Sequence, residues 1–490
     1  MLARMLGFLS DVAVYGVTGL LGQIVGFLLL PLYTRVLDPK DYGIIGMLTI
    51  VTMLFGPFAT LGMTTAIYRR LNQTKDEAAA RVVLGTGLIS VILASLGSLA
   101  ICLVFADWIA KDFVGDESTT TLVQLTVFSA TLAQIAQVSI ATLRARRKVK
   151  TTSALTLGSL VFSITTTIVL VAYLRMGVMG WVLGSLASDA LYLVAALGCT
   201  WRSFDLRINP AVWKSMLSYG LPLVPHRLQA VALGQFSQFM VREMMGLDEA
   251  GIYGVAGRFA LPVGLAVNVI QEAWIPYKFQ VHSQESDPRP FFRSMFTYYF
   301  VAISYLWVGV SLWSFDVVRL MTHNPAFHAA AYLVPMLALL RAVQGIYFML
   351  STGVELSDRT GAYPLISLAG LATVVAGAYV LVQPLGSLGA ALANVLCWLV
   401  MAGVVYVLAQ RRLTISYDWP IIGCFILLSA GCVGGGYATQ NLPLAARLSY
   451  NVVVSLAYPV LAVLVLTHSA TERERMHLLL AKFGFSGGNA

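Results

Sequence analysis

Apolar runs of about twenty residues, separated by short polar stretches, fill this sequence almost from end to end. Read against their polar punctuation, they predict spans near 11–34, 42–68, 82–105, 120–143, 152–174, 178–200, 215–241, 252–278, 292–314, 331–353, 363–382, 386–409, 420–437 and 445–467. A helix rises about 1.5 Å per residue, so roughly 20 apolar residues cross the hydrocarbon of a bilayer. The pattern therefore predicts an all-α membrane protein of about fourteen transmembrane helices. The first run is too long for a signal-peptide core and no clear cleavage site follows it, so it reads as a retained span.

Composition agrees with the pattern. Of 490 residues, 58% are hydrophobic and only 11% charged, against roughly 25% charged in soluble domains. A chain so poor in charge has no polar coat, and its outer surface must face lipid. The net charge of +9 would suggest nucleic acid in a soluble protein, but here the basic residues sit between apolar runs and describe topology. With a cytoplasmic N-terminus, 22 of the 32 Lys and Arg fall in cytoplasmic segments and 7 in outer ones. That bias predicts cytoplasmic N- and C-termini. The five cysteines, Cys102, Cys199, Cys397, Cys424 and Cys432, all lie inside apolar runs with no CxxC pair, so they read as small apolar residues rather than disulfides or metal ligands.

An internal repeat appears at an offset near 210. Leu37-Asp38-Pro39-Lys40-Asp41-Tyr42-Gly43 follows the first span, and Leu247-Asp248-Glu249-Ala250-Gly251-Ile252-Tyr253-Gly254 follows the seventh. Gly177-Val178-Met179-Gly180 opens the sixth span, and Gly386-Ser387-Leu388-Gly389 opens the twelfth. A unit of six spans gives both halves one orientation, related by an axis along the membrane normal with a substrate path between them. The expected organisation is an N-terminal six-helix bundle over 1–210 and a second over 211–412. Two extra helices follow over 413–470, then a short cytoplasmic tail over 471–490.

The sequence carries no phosphate-binding Gly-x4-Gly-Lys-Ser/Thr loop and no soluble lobe for a nucleotide, which argues against an ATP-driven pump. No Asp-x-Asp pair occurs and no loop exceeds roughly 20 residues, which argues against a glycosyltransferase, polymerase or ligase. His323 and His328 share a short loop, but their spacing is not that of helical metal ligands. No cofactor and no metal is expected, and the protein reads as a carrier rather than an enzyme.

Ionisable residues at bilayer depth are costly and by default mark function. Arg227 lies about 18 Å into its span from the cytoplasmic end and Arg341 about 15 Å into its span from the outer end, both near the midplane. Arg258 is about 9 Å below the outer surface. Arginine stays charged and binds phosphate through two parallel N–H bonds, so these residues suit a cationic cavity for an anionic substrate. The competing reading pairs them with Glu272 or Asp189 to hold helices together, and Arg258 has the option of snorkelling to the interface. Glu272, with Asn268 and Gln271, Asp189 and His226 are the candidates for ion coupling, by proton or sodium, or for charge pairing. Gln134 and Gln137, and Gln235 and Gln238, give two spans polar stripes that either line a cavity or link helices. Prolines 222 and 225 precede His226-Arg227 and predict a kink there.

The segment Leu30-Pro31-Leu32-Tyr33-Thr34-Arg35-Val36-Leu37-Asp38-Pro39-Lys40-Asp41-Tyr42-Gly43 resembles the opening of the polysaccharide-transporter (Wzx-like) branch of the multidrug/oligosaccharidyl-lipid/polysaccharide flippase superfamily. The six-plus-six-plus-two architecture extends that resemblance over the whole chain. It implies a V-shaped pair of six-helix bundles in the bacterial inner membrane. It also implies a flippase that moves an undecaprenyl-diphosphate-linked oligosaccharide from the cytoplasmic to the periplasmic leaflet, for O-antigen, capsule or exopolysaccharide biosynthesis. The implied partners are that lipid-linked substrate, membrane lipids and the polysaccharide polymerase and chain-length machinery, with no nucleic acid. Basic residues line the cavity in such families, which makes Arg35, Arg227, Arg258 and Arg341 the substrate-binding candidates. A cation-coupled multidrug antiporter and a lipid II flippase of the same superfamily are the alternatives, and a membrane polymerase or ligase the remotest one.

Overall fold

A computed structural model of the chain describes residues 21–74, 76–356 and 363–467. The tail over 471–490, the start of the first predicted span and the loop charges Arg4, Lys75, Arg359, Arg473, Arg475 and Lys482 lie outside the described residues. Those described are helical nearly throughout. In order the main helices are α1 (Leu21–Tyr33), α2 (Pro39–Thr60), α3 (Met63–Gln73), α4 (Glu77–Val104), α5 (Thr120–Ala145), α6 (Val149–Tyr173, its last turn a π-helix), α7 (Gly177–Thr200), α8 (Pro210–Gly220) and α9 (Leu223–Met245). They continue with α10 (Leu247–Phe259), α11 (Leu261–Gln284), α12 (Arg289–Met321), α13 (Ala330–Leu350), α14 (Tyr363–Gln410), α15 (Trp419–Thr439) and α16 (Leu444–Thr467).

Among the described residues, ten helices are long and apolar enough to cross a membrane, and the bent pair α10–α11 makes an eleventh if taken as one span. The seventh predicted span is present as α8 and α9, with α9 too polar to qualify by composition. Predicted spans eleven and twelve both lie in α14, whose 48 residues would extend about 72 Å as one rod, far beyond one bilayer crossing. Its helical path is broken at Gly386 (φ 57, ψ −139).

That glycine and Gly177 (φ 58) are the two that open the matched repeat motifs, and both have left-handed φ. Their companions match as well. A Cβ on Gly180 would press on the carbonyl of Leu170, and one on Gly389 on the carbonyl of Leu381. In each case the helix starts by folding back onto the end of the preceding one. The other repeat motif begins α2 with a reciprocal cap. Asp38 accepts from the Asp41 N–H at 2.9 Å and Asp41 from the Asp38 N–H at 3.3 Å, with Pro39 in the first turn. Such a cap satisfies N–H groups that a helix start leaves orphaned.

The chain divides into two compact units. The first comprises Met1–Val255, Met321–Phe327 and Val374–Ala390. Its apolar core includes Met63, Ile67, Leu84, Leu88, Ile135 and Met216. Here the two Leu-Asp/Tyr-Gly motifs touch one another. A Cβ on Gly43 would collide with the Leu247 carbonyl, and one on Gly251 with the Pro39 carbonyl. Lys40 bridges to Asp116 at 2.7 Å, and that hydrogen bond, with one from Ser118, holds the Asp116 carboxyl down at about 2. Arg242, expected in an outer loop, is instead buried at the end of α9. It donates from Nε to Val114 O at 2.9 Å and from Nη2 to Asp112 O at 2.8 Å, and it pairs with Glu243.

The second unit comprises Ala256–Leu320, His328–Thr373 and Ala391–Ala490. Its last two helices are tied to α12 at three levels. Arg293 Nε donates to Asp418 Oδ2 at 2.7 Å, the Tyr458 hydroxyl joins Ser304 at 3.0 Å and Ser429 at 2.8 Å, and Arg447 pairs with Asp316 while Asn451 Nδ2 reaches the same carboxylate at 3.3 Å. Polar groups face inward here. Val453, Leu456, Val460 and Leu464 are exposed down one side of α16 at helical spacing. Apolar outside and polar within is the arrangement a lipid solvent selects.

The left-handed glycines give a stability test. Gly177→Ala and Gly386→Ala should each destabilise the purified protein in detergent by about 1–2 kcal/mol, the cost of placing a Cβ at left-handed φ. Gly403→Ala, in open space on a regular helix turn, should be neutral or stabilising. Thermal unfolding of the three variants checks this, and equal effects at all three positions would contradict it.

Candidate functional site

Two helix breaks meet in the first unit. Between α2 and α3, Leu61 (φ 47, ψ 30) and Gly62 (φ 70, ψ 8) are both left-handed, a conformation that costs a non-glycine residue roughly 1–2 kcal/mol. Between α8 and α9 the helix stops at Gly220, and Pro222 and Pro225 have no N–H to extend the hydrogen-bond ladder. The breaks pack backbone to backbone. A Cβ on Gly62 would collide with the Gly220 carbonyl, and one on Gly220 with the Leu61 carbonyl. This contact holds Leu61 in its strained state and brings the first turn of α3 against the first turns of α9.

Arg227 emerges at this junction, half-buried, and its Nη2 donates to Thr65 Oγ1 at 2.9 Å. Among the described residues no carboxylate pairs with it. Guanidinium has five N–H donors, so one is used and four remain. Thr65 is the third residue of α3, where the helix dipole is positive and disfavours a neighbouring cation. The fold thus brings a guanidinium into the protein and, among the described residues, supplies no counter-charge. Near the breaks the Arg69 guanidinium lies 4.4 Å from the centre of the Tyr219 ring.

Three other buried or part-buried arginines are treated differently. Arg242 has Glu243 and a set of carbonyls, Arg447 has Asp316, and Arg293 has Asp418. The fully buried Lys278 is paired with Glu355, whose other oxygen accepts from Ser351 at 2.8 Å. These are structural pairs. Each partner lies far off in sequence, except for the adjacent Glu243, and no local pattern marks them.

A cavity of about 450 Å³ opens elsewhere in the same unit, lined by Thr49, Thr52, Ser129, Gln134, Ser185 and Asp189 among others. Ser129 Oγ donates to Asp189 Oδ2 at 2.6 Å. Thr126 Oγ1, also on the lining, is buried with no hydrogen-bond partner. One carboxylate among neutral oxygens is chemistry suited to a proton or a hard cation. The glutamine stripes now separate in role. Gln134 lines this cavity, whereas Gln238 Nε2 reaches Ala250 O at 3.4 Å and sits against Gly46 and Gly254, linking helices.

In the second unit Arg341 is half-buried on α13, with its stem against Gly264 and Nη1 donating to Gln344 Oε1 at 3.3 Å. Arg258 is half-buried in the last turn of α10, where a cation suits the helix dipole. Glu272 is exposed on α11 beside Asn268. Neither Glu272 nor Asp189 is ion-paired among the described residues, so the pairing of Arg227, Arg258 or Arg341 with them does not occur there. Arg35 is exposed in the turn between α1 and α2, and His226 is exposed beside Arg227. Among the described residues no group of three or more His, Cys, Asp and Glu has the geometry to hold a metal.

The chain matches the family of polysaccharide biosynthesis proteins over residues 8–282. That is more than half its length, and the chain belongs to this family. The Lsg locus putative protein 1 of Haemophilus influenzae is 22% identical over 286 residues, which cover 56% of this chain and 67% of that protein. Among solved structures, the lipid II flippase MurJ in an inward closed conformation superposes with a TM-score of 0.71 at 13% identity, covering 91% of this chain and 97% of that one. An inward-facing multidrug resistance MATE family transporter of the MOP superfamily gives 0.65 at 16% identity, covering 83% and 96%. The fold is therefore the one these two transporters have, and the chain is a multi-pass membrane protein. The matched region contains Thr65, Arg227, Arg258 and Glu272, while Arg341 lies beyond it.

Matched and unmatched arginines should part company in a stability measurement. Arg447→Leu leaves Asp316 buried without its partner and should cost about 3–5 kcal/mol. Arg227→Ala removes no counter-charge and should change stability by less than about 1 kcal/mol. Thermal unfolding in detergent reads both, and an Arg227→Ala loss as large as that of Arg447→Leu would make Arg227 a structural residue.

Proposed function

We propose that this member of the polysaccharide biosynthesis protein family is a flippase for a lipid-linked oligosaccharide, carried on undecaprenyl diphosphate from the cytoplasmic to the periplasmic leaflet of the bacterial inner membrane. The observation that carries the reading is Arg227, a guanidinium brought inside a membrane protein at a double helix break and bonded to a neutral hydroxyl. A diphosphate supplies the missing charge and accepts from the remaining N–H groups. Arg341 and Arg258 in the second unit, and Arg35 in the first, are further candidates for holding substrate charge, each taken by itself. The product would enter O-antigen, capsule or exopolysaccharide assembly, handed on to polymerase and chain-length machinery.

Transport by alternating access then needs a source of free energy. We assign it to a proton or sodium gradient acting at Asp189, in the oxygen-lined cavity between α2, α5 and α7, with Glu272 and His226 as secondary titratable groups. A cavity of this size with one carboxylate on its wall also suits a cationic solute, which is the multidrug-extrusion reading.

In proteoliposomes made with the full chain, Arg227→Ala and Arg341→Ala should each slow flipping of a polyprenyl-diphosphate-linked sugar about tenfold or more, the scale of a lost charge-assisted contact. Wild-type rates in both variants would sink the cationic-site reading. Asp189→Asn should abolish the response to an imposed pH or sodium gradient while leaving lipid-diphosphate binding within about twofold. Uptake of cationic dyes with no flipping would instead select the multidrug reading.

A further inference from the structure

Arg227 is useful to an anion only if its fork is aimed. Its side chain has four rotatable bonds and a large rotamer entropy to lose on binding. The structure assigns that task to Thr65, and we propose that Thr65 is the positioning residue that pre-orients Arg227 for diphosphate. The inference rests on the anion-binding reading of Arg227 above.

Several features of the site fit this role. The Thr65 hydroxyl accepts from Nη2, which takes one N–H and leaves a second edge of the planar guanidinium with its paired donors intact. The acceptor is neutral, so it fixes direction without cancelling charge, unlike the carboxylates that hold Arg293 and Arg447. The hydroxyl is itself held in place. Thr65 lies in the first turn after the left-handed Leu61–Gly62 pair, and those residues are seated on the Gly220 backbone two residues before Pro222. Met63 and Ile67 on either side are buried in the apolar core with Met216 of α8, so the turn that carries Thr65 has no freedom to rotate.

The bond joins two helices, so the aim of the guanidinium depends on α3 and α9 remaining together. A carrier must bind its substrate with different affinity in its two states. A positioning bond that exists in one arrangement of α3 and α9 and is lost in another supplies such a difference. Capture would be tight while Thr65 holds Arg227 and would weaken when the two helices part.

The test uses the full chain purified in detergent, with farnesyl diphosphate as the probe and uncharged farnesol as its control, by calorimetric titration. Thr65→Val, nearly equal in shape but without the acceptor, should bind farnesyl diphosphate about tenfold more weakly, with farnesol binding and thermal unfolding unchanged. Thr65→Ser should restore affinity to within about twofold, and Thr65→Ala provides a second deletion should Val fold poorly. In the Arg227→Ala background, Thr65→Val should cause no further loss, because the two residues act as one unit. Additive losses, or wild-type affinity in Thr65→Val alongside weakened Arg227→Ala, would overturn the positioning role and leave the anion-binding reading standing. Wild-type diphosphate affinity in Arg227→Ala would remove both.

Discussion

An ionised side chain carried into hydrocarbon costs at least a few kcal/mol, and everything distinctive in this protein follows from how each such charge is met. Arg293, Arg447 and Lys278 are met by carboxylates, and Arg242 by Glu243 together with the carbonyls that end a π-helical turn. These contacts bind helix to helix. They tie the last two helices to α12 and lock the C-terminal end of α9 onto the segment before α5. Arg227 is met by a hydroxyl alone. Arg242, Arg293 and Arg447 show that this sequence can supply counter-charges, and Arg227 lacks one among the described residues. The same logic separates Asp189, bonded to Ser129 on the wall of a cavity, from the carboxylates that serve as partners.

Glycine does for the backbone what ion pairs do for the charges. A membrane-spanning helix gains nothing from burying leucine against leucine when lipid is equally apolar, so close approach and polar contact decide where helices meet. Gly43 with Leu247, Gly251 with Pro39, and Gly62 with Gly220 are all places where a single methyl group would separate two backbones. Two of these contacts join the matching Leu-Asp/Tyr-Gly motifs of the repeats. The repeat visible as residue types is thus a repeat of packing chemistry, with each copy forming the surface that the other needs.

Much of the fold was legible in the sequence because lipid imposes a simple rule on long segments. Apolar runs gave helices at their expected places, and the Gly177 and Gly386 motifs marked two helix starts, where the structure adds a left-handed φ at each glycine. The prolines before Arg227 marked a break. The opposing break did not show, because Leu61 takes a conformation that its own side chain disfavours, and only contact with Gly220 explains it. Arg242 and Arg447 read as loop charges, since both sit at the ends of apolar runs. Their burial depends on Val114, Asp112 and Asp316, more than a hundred residues distant in sequence, and one sequence carries no sign of such pairings. Thr65 was invisible for the same reason. Nothing distinguishes it from Thr64 until α9 lies beside it.

Anionic and cationic chemistry occupy different helices here, and that separation has a consequence for coupling. Arg227 on α9 works with Thr65 on α3, while Asp189 on α7 works with Ser129 on α5. Were the two charges in contact they would neutralise each other, and neither a diphosphate nor a proton would find a partner left to bind. Kept apart, each is held by a hydroxyl that orients it and leaves its charge available. On the proposed reading the substrate site and the ion site communicate through the helices that carry them, α2 and α3 above all. The cavity lining includes Thr49 and Thr52 of α2, and a strained turn at Leu61–Gly62 connects that helix to the one bearing Thr65. A shift of α2 on ion binding would reach Thr65 through a turn that already stores strain, and from Thr65 it is a single hydrogen bond to Arg227.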